Sequence, residues 1–112
     1  MGLDLTIRKQ HNFTKDEKGR NTWTVTELGN LRNCWNVLEE IQSYEDLNNC
    51  TTVTLYGNHL HEILENMKNN VENIAEHQQE KYKSEIQDLE DFLTENEIQN
   101  DDTQDYQIHA WW

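Results

Sequence analysis

Leu3, Leu5 and Ile7 alternate with Asp4, Thr6 and Arg8 at the start of the chain. A period of two sends alternate side chains to opposite faces, so residues 3–8 are predicted to form a half-buried strand. The alternation returns over 22–26 through Trp23 and Val25, after a polar stretch that contains Gly19. Together these segments predict a β-hairpin joined by a flexible loop over 9–21. Thr51 to Leu55 is β-branched and apolar enough for a short strand. Near the other end, Tyr106, Ile108, Ala110 and Trp112 alternate with Gln107, His109 and Trp111, behind a loose acidic linker over 100–105. That last strand is expected to return and pair with the hairpin.

The remaining apolar positions follow helical spacing. Leu28, Leu31, Trp35, Leu38 and Ile41 are three and four apart. They predict a helix that starts at Glu27 under a Thr26 cap, with Cys34 beside its core stripe. Gly29 would weaken that helix by about 1 kcal/mol relative to Ala, which points to something packed closely against it. Asn58 is a candidate cap for a second helical region carrying Leu60, Ile63, Leu64, Met67, Val71 and Ile74. A second stripe holds Tyr82, Ile86, Leu89, Phe92 and Leu93. Leu60, Val71, Tyr82 and Leu93 recur every 11 residues, the period of one straight helix, which over 58–97 would be about 60 Å long. The polar run 77–81 and the capping-box pattern from Ser84 to Gln87 favour a break and hence two helices. The fold class is therefore α+β: one domain over 1–112, a small antiparallel sheet (N-terminal hairpin plus C-terminal strand), and two to three helices packed on one face.

Charge divides the chain. The first 38 residues carry six basic side chains and four acids, whereas the last 74 carry 18 acids against Lys68, Lys81 and Lys83, within a net charge of −13. A one-signed field of this kind repels nucleic acid and acidic membranes and steers toward basic surfaces. The expected partner is a protein. Four of the six basic residues in that first part (Lys9, Lys15, Lys18, Arg20) fall in the 9–21 loop, and Arg32 is expected in a structural ion pair with neighbours such as Glu27. No run of 18 apolar residues and no signal-peptide order are present, so a cytoplasmic protein is expected. Cys34 and Cys50 are then free thiols.

Candidate chemistry is sparse. His59, His61, Cys34 and Cys50 are zinc-ligand types without zinc-ligand spacing, and His61 with Glu65 reads as a solvated pair. Cys34 beside Trp35 is expected to be buried and inert rather than nucleophilic. The four Gly residues form no phosphate loop. No catalytic residue, metal or cofactor is expected.

Met1-Gly2-Leu3-Asp4 opening into a strand, Glu27-Leu28 followed by Leu31-Arg32 and Trp35, and an aromatic last strand resemble a family of small, uncharacterised phage proteins. The chain departs from that family in lacking a long charged insert between its first strand and first helix. The resemblance implies a viral origin and transfers no activity. With it, the acidic helices read as a surface that binds and inhibits a host nucleic-acid-handling defence protein of the restriction or CRISPR type, by mimicking phosphate in a basic groove. The candidate partner-binding residues are Glu72, Glu76, Glu80, Glu85, Asp88, Asp91 and Glu95. The like-charge pairs among them are only partly relieved by Lys68 with Glu72 and Lys81 with Glu85, and a plain solvated face explains the same pattern. Rival readings are a phage accessory protein dimerising through Leu60, Val71 or Trp112, and a small-ligand or metal-binding protein with a pocket near Trp23, Trp35 and the histidines.

Overall fold

A computed structural model describes residues 2–10, 14–15, 17–22 and 25–112. Its main sheet has four antiparallel strands in the order β4-β1-β6-β5. These are β1 (Asp4–Gln10), β4 (Val25–Arg32), β5 (Thr51–Tyr56) and β6 (Asp105–Trp111). Two short strands, β2 (Thr14–Lys15) and β3 (Asn21–Thr22), form a separate ladder of their own. Among the described residues there are three α-helices: α1 (Trp35–Gln42), α2 (Gly57–Asn70) and α3 (Glu76–Glu95). The fold is α+β.

Alternation along the strands sets the core. Leu5 lies opposite Leu31 on one side and Ala110 on the other, and Ile7 lies between Gly29 and Ile108. Leu55 is opposite Tyr106. All of these except the glycine are buried with Val37, Leu38, Ile41, Leu60, Ile63, Met67, Leu89 and Leu93 of the helices. The last strand thus sits inside the sheet, between β1 and β5. A strand with Tyr106, Ile108 and Ala110 on one face is the natural centre of that core.

Several expectations change. Residues 27–32 form the second half of β4, not a helix, because Leu31 and Gly29 continue the inward row begun by Leu5 and Ile7. The helix begins only at Trp35, after Asn33 enters the left-handed region at φ 57. Trp35 is consequently 42% exposed rather than part of a core stripe. The close approach inferred for Gly29 is present in a different element. Its φ is +149, and a Cβ there would lie 3.3 Å from the Phe92 ring of α3.

Residues 58–97 form two helices, but the break lies at 71–75, not at the polar run. A single 3-10 turn, Val71–Asn73, leads into Ile74 at ψ 137. The polar run over 77–81 is the start of α3, where one helical end can be solvated all round, and Ser84 is an exposed mid-helix residue. Helix α2 starts one residue before the expected Asn58 cap, and its Gly57 is buried where a Cβ would fall 2.2 Å from the Gln99 carbonyl oxygen. The stretch 100–105 makes hydrogen bonds within itself and one to the start of α2. Asn58 N donates to the Asp101 carbonyl at 2.9 Å, Thr103 N and Oγ1 donate to the Asp101 carboxylate, and Asp105 already belongs to β6. Lys9 and Gln10 likewise belong to β1 and not to a loop. The flexibility expected of 9–21 and the position of Trp23 fall wholly or partly outside the described residues.

Candidate acidic interaction surface

Helix α3 packs Tyr82, Ile86, Leu89, Phe92 and Leu93 inward. At 3.6 residues per turn, Glu76, Glu80, Asp88, Asp91 and Glu95 fall within a sector of about 120° on another side of the cylinder. All five are exposed. Lys81 and Lys83 lie outside that sector, so the five carboxylates share a surface without an interleaved cation. Asp91 accepts one hydrogen bond, from Gln87 Nε2 at 2.8 Å. Glu72 is exposed too, but it sits on the 3-10 turn before α3 and extends the acidic run rather than sharing the sector.

Glu85 leaves the candidate set. It is fully buried, and it points at the start of α1. The capping position there is Cys34, which supplies no side-chain cap, so the first N–H groups of α1 need an acceptor from elsewhere. Glu85 Oε1 accepts from Asn36 N at 2.8 Å and from Val37 N at 3.4 Å, and Oε2 accepts from Asn36 Nδ2. Lys81 Nζ, 3.6 Å from Oε2, balances the charge and also donates to the Asn33 carbonyl at 2.8 Å. A carboxylate held this way caps a helix and cannot meet a partner.

The other ion pairs are arranged differently from the sequence reading. Lys68 bridges α2 to α3 through Glu90 at 3.0 Å, with Glu65 at 4.0 Å, instead of pairing with Glu72. The hydrogen bond that Lys68 donates to Glu90 raises the Lys68 pKa. Arg32 is in an ion pair as expected, but with Asp4 on the neighbouring strand at 3.1 Å, because Arg32 is on β4.

Beside the acidic sector, a recess of about 320 Å³ opens between β4 and α3. Asn30, Leu31 and Arg32 form one wall, and Asp88, Asp91, Phe92 and Glu95 form the other. Two further recesses of about 310 Å³ flank the tryptophans. One contains Trp35, His77, Lys81 and Glu85, and the other contains Asp4, Arg32, Trp111 and Trp112. Trp35 meets Trp112 edge-on at 5.8 Å. Neither His59 nor His61 borders these recesses. His59 Nδ1 accepts from Tyr56 N at 3.2 Å, and His61 Nε2 contacts the Ile98 carbonyl at 2.7 Å, which fastens the chain after α3. Both imidazoles serve the fold.

Cys34 and Cys50 are free thiols, one buried and one exposed. Burial, with Glu85 and Asp88 nearby, pushes Cys34 up to about 12, so the nucleophilic thiolate is suppressed. Among the described residues, no group of three or more His, Cys, Asp or Glu side chains is placed to hold a metal, and no helix is long and apolar enough to cross a membrane. Comparison with protein-family models, curated proteins and solved structures finds no match. The functional reading therefore rests on the residues themselves.

Sequence reasoning missed the cap made by Glu85 and the recess beside β4. Asn36 followed by Val37, just after an uncapped Cys34, signals orphan N–H groups, but the acceptor lies 49 residues away.

Proposed function

We propose that this chain is a non-enzymatic, phage-type binding protein that uses the exposed acids of α3 to occupy a basic, nucleic-acid-binding surface on a host defence protein of the restriction or CRISPR type. The observation that supports this is the sector of Glu76, Glu80, Asp88, Asp91 and Glu95, all exposed and with no cation of α3 between them. From the first to the last is about 28 Å at 1.5 Å per residue. That is about one charge per 6 Å, against about one per 3.4 Å along a single DNA strand. The surface is thus a sparse polyanion. It suits a groove lined by separate Lys and Arg side chains, and it competes with phosphate through charge more than through shape.

Immobilised protein should capture such a partner from a host lysate and release it as salt rises. The five-site variant Glu76→Gln, Glu80→Gln, Asp88→Asn, Asp91→Asn, Glu95→Gln should capture little of it, and the captured protein should lose its hold on a DNA oligonucleotide when the wild type is added. Capture indifferent to both salt and the five substitutions would contradict the proposal.

A second reading is supported by Trp111, which is 60% exposed. Here the chain is an accessory protein that dimerises through its tryptophans. Leu60 cannot serve that interface, since it is 2% exposed within one copy. Sedimentation at micromolar concentration separates the readings: a salt-resistant dimer abolished by Trp111→Ser favours the second.

A further inference from the structure

The acids Asp88, Asp91 and Glu95 stand across a groove from a sheet edge. Strand β4 ends the sheet, and among the described residues it pairs only with β1. The phase of that ladder is fixed by Asn33 N, which donates to the Leu3 carbonyl at 2.7 Å. Antiparallel pairs alternate between hydrogen-bonded and non-hydrogen-bonded. Leu31 opposite Leu5 and Gly29 opposite Ile7 are therefore bonded pairs, while Arg32 opposite Asp4 and Asn30 opposite Thr6 are not. The backbone N–H and C=O of Asn30 and Arg32 consequently point away from β1, toward the groove. Two donors and the Asn30 acceptor, two residues apart, with the Arg32 carbonyl shared with Cys34 Sγ at 3.6 Å, are enough for an added strand to pair.

We propose that this groove takes an extended, basic segment of the partner, which pairs with β4 at Asn30 and Arg32 and lays its Lys or Arg side chains against Asp88, Asp91 and Glu95. The inference rests on the proposed function and gives it a mode of binding. Charge complementarity selects the occupant. Three of the groove's seven lining residues are acids, and its one cation, Arg32, is already engaged by Asp4. Leu31 and Phe92 supply an apolar floor. Period-two side-chain alternation in the incoming strand places every second residue on the acidic wall, so the matching sequence alternates cations with small β-formers. The bulge between Ile7 and Arg8 limits the pairing edge to its Leu28–Arg32 portion, enough for a segment of about five residues.

The probe is a fluorescein-labelled decapeptide of alternating Lys and Thr, compared by anisotropy at 50 mM salt with the same peptide methylated on every backbone amide. Methylation keeps the charge and removes the N–H donors. Binding by the unmethylated peptide, weakened about tenfold or more by methylation, is expected. Asn30→Pro should weaken it similarly while leaving the β1 ladder intact, since Gly29 and Leu31 carry that ladder. The triple variant Asp88→Asn, Asp91→Asn, Glu95→Gln should weaken both peptides. Equal affinity for the two peptides would overturn strand pairing and leave the acidic surface standing, and this comparison on the unmodified protein decides even if Asn30→Pro fails to fold. No binding of either peptide would overturn both proposals. A dimer of the free protein that the peptide dissociates would overturn the partner assignment, because a second copy would then be the groove's occupant.

Discussion

Glu80 and Glu85 lie on the same helix with the same charge, yet only Glu80 reaches solvent. Their difference sets a direct test of which acids are structural. Glu85→Ala deprives two backbone N–H groups and the Asn36 amide of their acceptor, and should cost about 2 kcal/mol by urea denaturation. Glu80→Gln should change stability by less than about 0.5 kcal/mol. The thiols divide in the same way. At pH 8 one thiol per chain, that of exposed Cys50, should react promptly with Ellman's reagent, and Cys34 only after unfolding. Two promptly reacting thiols would contradict the burial of Cys34. The same residue shapes the pH profile. The folded pKa of Cys34 is raised from 9.0 to about 12, and that of Tyr44 from 10.0 to about 12, in each case mainly by burial. A raised folded pKa means that the unfolded chain loses its proton first, so stability is retained below pH 9 and falls between about 9 and 12. The fall in melting temperature between pH 8 and pH 10.5 should be smaller in Cys34→Ala.

At the scale of elements, one glycine explains much of what the sequence left ambiguous. Leu28, Leu31, Trp35 and Leu38 fit a helical stripe, but Leu31 also fits a strand, and Gly29 decides between them. Its φ of +149 and the Phe92 ring 3.3 Å from any Cβ require a residue without a side chain. Gly29→Ala should destabilise the protein by about 1 to 3 kcal/mol. A helical site there would instead have gained stability from Ala. The two inner strands, β1 and β6, were legible because period-two alternation was local and complete. The body of helix α1 was legible but its start was not, since the expected helix ran eight residues too far toward the N-terminus and the cap that Glu85 supplies is encoded by no local pattern. The division of 58–97 into two helices was legible, but its place was not. Asn70 and Asn73 bond to each other at the break, and asparagine is a poor helix former, a weaker local signal than the polar run that follows. Six of the seven acids chosen as partner-binding are exposed. Glu85 was indistinguishable from them by composition, because its environment is made by another helix.

Over the whole molecule, charge and topology reinforce each other. The described strands and helices fold into a body measuring 58 × 30 × 22 Å, and five of the acids of its second half are left exposed on one side of α3. The exposed Lys68 bridges engage Glu65 and Glu90, are screened by solvent, and leave the repulsion among the five acids in place. A basic partner offsets it by releasing counterions and pairing the carboxylates. The most direct test is the affinity for the captured partner as salt is raised from 50 to 300 mM, for wild type and for the five-site α3 variant. The expected result is a steep fall of log affinity with log salt in the wild type and a clearly flatter line for the variant. Parallel lines of equal affinity would contradict the claim that the α3 carboxylates form the binding surface.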